Sequence, residues 1–324
     1  MKTQTTKSRI LFFASIPLAV VSASFLAMGI VSAPLAYSAS APVIPPKTFS
    51  TPEEAANALI DAAAKYDVAA LEQVLGSDGK NLVFTDAPAE DKDIVRTFAE
   101  LAQEKNEVAI DPKNKNLAIL NIGNEDWPFA IPLVKKQGEW VWDAPAGKEE
   151  LLYRRIGANE LDTIEVCQGY VEAQEEYALQ KHDGSNVNQY AQRIVSTPGK
   201  QNGLAWQNAD GTWGGPIGEN VAKAIADGFS KNDPYNGYYF KILNGQGPAA
   251  PLGQMDYVVN GAMIGGFALA AAPAEYSVTG VKTFMVSNDG VVYQKDFGPN
   301  TLAEFKRMKL FNPDKSWSPV EEEE

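Results

Sequence analysis

The sequence predicts an α+β protein built from two domains, and three observations carry that reading. Residues 48–103 hold three stretches of helix formers, and residues 107–143 break into short strand-like runs separated by turn residues. One proline-free amphipathic stretch follows at 159–180. Behind it comes a second set of short runs rich in aromatic and β-branched residues. Helices segregated from antiparallel strands, twice over, describe an α+β chain rather than alternating βαβ units. The domains are placed at 48–147 and 148–320, after a segment 1–38 and a linker 39–47 and before an acidic tail at 321–324.

The first segment reads as an export signal. Lys2, Lys7 and Arg9 precede an uncharged apolar run at 10–31, and small residues follow in SAPLAYSASA. The run is long enough to cross a bilayer, so an uncleaved anchor is the alternative. Either way the protein is expected outside the cytoplasm, periplasmic or secreted, touching a membrane only through this segment. The chain has one cysteine, so it forms no internal disulfide and its cores must hold it together. With 45% hydrophobic residues it can build them. A net charge of −13 argues against nucleic acid as a partner.

Residues 39–47 are a proline-rich tether. Thr48 or Ser50 then caps a helix with Pro52 in its first turn and a small apolar face of Ala55, Leu59, Ala62 and Ala63. Asp67 opens a second helix through Leu71, Val74 and Leu75, which stops at Gly76. A third spans 91–103. Strands are expected at 107–111, 116–122, 128–134 and 139–143, the last two joined by the turn KKQG.

The stretch 159–180 is the spine of the second domain. Ile164, Val166, Cys167, Tyr170, Ala173 and Tyr177 fall on one half of the helical wheel, and Glu165, Glu172 and Glu176 on the other. Gln174 lies inside the apolar face, where a buried amide must find partners, either backbone or ligand. Cys167 is a small core residue. Upstream, Arg154 and Arg155 sit among Glu149, Glu150 and Glu160. Paired guanidinium groups grip carboxylates or phosphates, and here they are also positioned to pair with their own glutamates. His182 follows the helix as a solvated surface residue.

Residues 190–198 read as a short segment, helical at most, and 199–218 as a glycine-rich irregular loop carrying Trp206 and Trp213. A helix is expected at 219–227, strands at 235–243, 265–272, 281–287 and 291–295, and a last helix at 301–308. Asn288-Asp289-Gly290 is a hairpin turn. Trp206, Trp213 and Tyr238, set among polar and glycine residues, either stack against a sugar or a protein partner or close over the sheet as a minor core.

Several chemistries are missing. The only histidine is His182, and there is no G-x-S-x-G elbow, Walker loop or cluster of zinc ligands. No catalytic residue, metal ligand or cofactor is therefore assigned. Asp289 is explained by its turn without calcium. Glu160 is the best placed carboxylate for glycoside hydrolysis.

Three resemblances add to this. Two or three helices followed by a meander ending in LVKKQGEWVW, over 48–146, resemble the nuclear-transport-factor-2-like (cystatin-like) cone, whose members include binding and accessory modules. Enzymes of that class use a His–Asp pair, and this chain has no histidine before His182. A long helix with Ala173, Gln174 and Tyr177, then Gly237-Tyr238, Phe240, Ala272-Pro273, Gly280 and Phe284 through Val292, is similar to pilin and pseudopilin heads. Only the head fold carries over, because the apolar segment lies over a hundred residues upstream. Finally, Phe49, Pro52, Glu53 and Ala55, Trp127-Pro128-Phe129, Arg154-Arg155-Ile156-Gly157, Asn159-Glu160-Leu161, Gly237-Tyr238-Tyr239-Phe240 and Asp289-Gly290-Val291-Val292-Tyr293 resemble DUF2950, a family of exported bacterial proteins. That likeness implies no catalytic residue.

The expected function is that of an exported cell-envelope protein acting as a non-enzymatic binding or accessory module for an envelope protein or a glycan. The alternative is an envelope hydrolase that cuts polysaccharide through paired carboxylates. Candidates for binding are Arg154, Arg155, Glu160, Gln174, Trp206, Trp213 and Tyr238.

Overall fold

The computed structural model describes residues 43–85, 87–231 and 233–321. The expected signal 1–38 and the acids 322–324 lie outside them. Among the described residues no helix is long and apolar enough to cross a membrane. The chain divides into two compact units, one ending at Arg154 and the other beginning at Arg155. Both mix helices with antiparallel sheet, so the class is α+β.

In the N-terminal unit, helices α1 (Pro52–Ala64), α2 (Val68–Val83) and α3 (Pro88–Glu104) precede strands β1 (Asn106–Ile110), β2 (Leu117–Ile122), β3 (Trp127–Pro128), β4 (Leu133–Lys136) and β5 (Glu139–Trp142). The cap of α1 is Thr51, whose hydroxyl accepts from the Glu54 amide, rather than Thr48 or Ser50. Asp67 caps α2 as its sequence position implies. Gly76 does interrupt that helix, but the chain resumes helical structure beyond it. The linker residues are not a loose tether here. Ile44 exchanges bonds with Ser77, and the Lys47 amide donates to the Gln73 carbonyl, so this segment is laid along the kink.

The sheet runs β1-β2-β4-β5, with β3 paired to β2. The expected strand 128–134 is thus split in two, because Pro132 offers no amide to a ladder. Ala55, Leu59, Ala62 and Ala63 of α1 join Phe98, Leu120, Leu133, Trp140 and Trp142 in one core.

Helix α4 (Ala144–Ala178) starts well upstream of the expected 159, since Lys148 to Ile156 are themselves good helix formers and Asp143 stands at its entry. In the C-terminal unit its residues Thr163, Cys167, Tyr170, Ala173, Gln174 and Tyr177 are buried, while Glu165, Glu172 and Glu176 are exposed. The burial of the Cys167 thiol pushes it up to about 12.

A hairpin of β6 (Trp206–Gln207) and β7 (Trp213–Gly214) and helix α5 (Glu219–Lys231) come next. The main sheet has the order β16-β15-β14-β13-β8. It comprises β8 (Tyr238–Leu243), β13 (Ala268–Pro273), β14 (Lys282–Ser287), β15 (Tyr293–Asp296) and β16 (Ser318–Pro319). Every residue of central β13 is buried. Strands β14 and β15 pair across the Asn288-Asp289-Gly290 turn, with Met285 opposite Tyr293. Helix α6 (Thr301–Arg307) ends under Lys241 of β8, whose ammonium donates to the Phe305 and Met308 carbonyls.

Residues 190–198 are not helical. Tyr190 bridges Met263, and the Leu204 and Ala205 amides bond back to Arg193 and Ile194. Two-residue ladders β9 (Gly245–Gln246) with β10 (Met255–Asp256), and β11 (Val258–Val259) with β12 (Ala262–Met263), escape sequence reading because two residues display no period.

Candidate functional site: an aromatic groove in the C-terminal unit

The expected aromatic loop forms a groove of about 560 Å³. Its walls are two stretches, Val195 through Gln201 and Trp206 through Ala209, together with Trp213. The C-terminal end of α4 sets the first wall. Tyr177 donates its hydroxyl to the Gln201 carbonyl, and the Asp183 carboxylate accepts from the Gln201 amide at 2.8 Å. Burial, then Asp183, raises the Tyr177 hydroxyl to about 12, so it remains a donor. Within the wall, Ser196 and Gly203 bond to each other, as do Thr197 and Asn202.

The second wall is the β6–β7 hairpin, with Gln207 opposite Trp213 and Trp206 opposite Gly214. A Cβ at position 214 would come within 2.9 Å of Trp206 Nε1, so glycine leaves room for the indole. Asp210 closes the turn by accepting from both the amide and hydroxyl of Thr212, which holds its carboxyl below the usual range. The Lys223 ammonium lies 4.7 Å above the Trp213 ring and 2.7 Å from Glu219.

His182 corrects the expectation of a surface histidine. It is 6% exposed and stacked on the Tyr177 ring at 3.8 Å between centroids. Its Nε2 donates to the Tyr177 carbonyl at 2.9 Å, satisfying one of the last carbonyls of α4. Its ring centre is 5.6 Å from that of Trp206. The sequence missed it because its partners, Gln201 and Trp206, come from a loop with no periodic signal.

The other candidates lie elsewhere. Gln174 is fully buried. Its amide donates to the Ala191 carbonyl at 2.8 Å and to the Tyr170 hydroxyl, and it accepts from the Ala191 amide. Tyr238 is fully buried too and donates to the Lys282 carbonyl; burial and then Glu160 push its hydroxyl far up. Glu160 spends Oε1 on the Val281 and Lys282 amides at 2.8 and 2.9 Å, ordering the start of β14. Arg154 meets Glu150 through Nε at 2.8 Å, and Arg155 is half-buried on the same helix. Asp289 accepts from Ser287 and the Val291 amide, as a turn residue does. Among the described residues no cluster of three or more His, Cys, Asp or Glu is arranged to hold a metal.

The groove therefore joins two indoles to side-chain amides, hydroxyls and one lysine, Lys200, without a lining carboxylate. Such a surface can stack on an apolar ring face and bond to hydroxyls around its edge. In comparisons with known proteins, the family described as "Protein of unknown function (DUF2950)" matches residues 46–320. No curated protein and no solved structure matches the chain.

Proposed function

The chain belongs to the DUF2950 family, and we propose that it is an exported, non-enzymatic binding module of the cell envelope whose glycan ligand seats between Trp206 and Trp213. The observation that carries this reading is the composition of the groove, in which two half-buried indoles stand among Thr197, Gln201, Gln207 and Asn208. Sugars present the matching surface, an apolar face of C–H groups rimmed by hydroxyls. Export rests on the basic start, the apolar run 10–31 and the small residues after it. The groups that catalysis would draw on are in use: Glu160 holds two backbone amides, and His182 holds a helix carbonyl beneath an aromatic stack. In the same reading the helices and meander of the N-terminal unit are a cone of the nuclear-transport-factor-2 kind. The C-terminal sheet and long helix correspond to a pilin-like head.

The test uses protein isolated from its host. It should be recovered from the envelope or the medium and bind soluble fragments of the host's own wall polysaccharide. Trp206→Ala and Trp213→Ala should each weaken that binding about tenfold, in line with the ~1–3 kcal/mol that a stacked ring contributes. Recovery from the cytoplasm, binding indifferent to both substitutions, or shortening of the glycan on incubation would each overturn the proposal.

A further inference from the structure

The N-terminal unit contains a second concavity, unrelated to the aromatic groove. It has a volume of about 70 Å³ and is enclosed by the end of α2, by α3, by β3 with the chain that follows it, and by the first turns of α4. Its walls are apolar apart from three residues, Thr85, Asp91 and Arg154. Two of these are spent on each other. Asp91 is 3% exposed, and its oxygens accept from the Thr85 amide at 2.7 Å and hydroxyl at 2.9 Å. Arg154 remains as the polar group at the wall. Among the described residues its partner is Glu150, reached through Nε. Its two terminal nitrogens keep the fork geometry that suits a carboxylate.

Behind this cavity lies a smaller void of about 20 Å³, lined by apolar side chains alone. The two share Val83, Phe98 and Phe129 as walls. The rings of Phe98 and Phe129 stand 5.0 Å apart, centre to centre, and form the partition. Apolar space thus continues inward from a cationic rim. The size decides the shape of the occupant. An engineered apolar cavity of about 150 Å³ takes benzene, and this one has about half that volume. A ring does not fit, whereas a short methylene chain entering past Arg154 and displacing the Phe98–Phe129 partition does.

We propose that the cavity of the N-terminal unit is a binding site for a short-chain carboxylate, its tail between α2, α3 and the β3 segment and its head on Arg154. Each methylene taken out of water contributes about 0.8 kcal/mol, so a short tail supplies part of the affinity and the guanidinium selects the head.

The experiment is calorimetric titration of the protein isolated from its host, after removal of bound lipid. Three probes are used: hexanoate, hexanol and phosphatidylcholine vesicles. Hexanoate should bind at one site per chain, at least tenfold tighter than hexanol. Arg154→Gln should remove that preference and leave hexanol unchanged. Phe98→Trp should fill the space and weaken both ligands at least tenfold, with circular dichroism showing the fold retained. Should that variant fail to fold, Ile94→Phe narrows the same wall from a half-buried position and is expected to weaken both ligands. Trp206→Ala should leave the hexanoate titration as it is, so failure here is separable from failure of the groove. Equal affinity for hexanoate and hexanol, indifference to the cavity-filling variants, or binding to vesicles alone would overturn the proposal.

Discussion

Gln174 shows how one polar residue in an apolar stripe acts as an instruction. A buried amide needs partners for both ends, and Ala191 supplies its N–H and its C=O, fixing the chain that follows α4 against the helix. Gln174→Met keeps the volume and removes all three bonds, leaving the Ala191 groups unmet. The expected loss is about 2–3 kcal/mol, read as a lower urea midpoint followed by tryptophan fluorescence. A change below about 0.5 kcal/mol would mean that the backbone there is satisfied another way. The need for such a partner was legible because the helical period placed Gln174 on the wrong side for a polar residue. His182 was not legible. Nothing in QKHDG distinguishes a solvated imidazole from one folded back on Tyr177.

At the scale of elements, α2 shows where a local signal is right and incomplete. Gly76 stops the helix as expected, with φ at 75° and ψ at 170°. The reason to stop there lies outside the helix, since a Cβ at this position would meet the Pro46 nitrogen at 2.8 Å. The kink is the seat of residues 44–47, which the sequence presents as a bare tether. Gly76→Ala brings both backbone strain and a clash. It should cost about 1–3 kcal/mol and open the chain around Lys47 to trypsin. Unchanged stability together with unchanged cleavage would show that the segment docks without the kink. The β14–β15 hairpin, by contrast, was legible in its turn and its two partners, because Asn-Asp-Gly lies between two apolar runs, although the ladder begins only at Met285 and Tyr293 and leaves Val291 and Val292 of the expected strand outside it. Two-residue ladders such as β6–β7 carry too few residues to announce themselves, and that is why the groove's second wall was read as an irregular loop.

For the whole molecule, net charge and buried titratable groups set how stability follows pH. Burial, and then Lys309, draws the Lys241 ammonium down to about 8 from 10.5, outweighing the two carbonyls it meets. Between those values the unfolded chain holds a proton that the fold has released. This group's contribution therefore rises with pH from about 8 to 10.5 and is lost as pH falls through 8. Cys167, Tyr177 and Tyr257 act in the opposite sense, each raised to about 12 with burial as the first cause. Their stabilisation is complete below the unfolded values of 9.0 and 10.0 and is lost as pH climbs toward 12. Urea unfolding across pH 7–12 should show a steep loss above about 10.5. The stability of wild type minus that of Lys241→Met should rise from pH 8 to 10.5; a difference that stays flat or falls over that range would mean the ammonium is not destabilised by burial.

The sequence by itself determined the α+β class, the buried face of the long helix, most strand positions and membership of DUF2950. All of these are written in periods, turns and motifs that a chain displays within a few residues of itself. Only the tertiary structure decided which polar groups are consumed and which remain available. Glu160 finds its amides 121 and 122 residues away, and Asn159 its carbonyl 120 away. The empty spaces were likewise decided there. A groove or a cavity is a property of the side chains that fail to meet, and no local pattern records where distant walls stop short of one another.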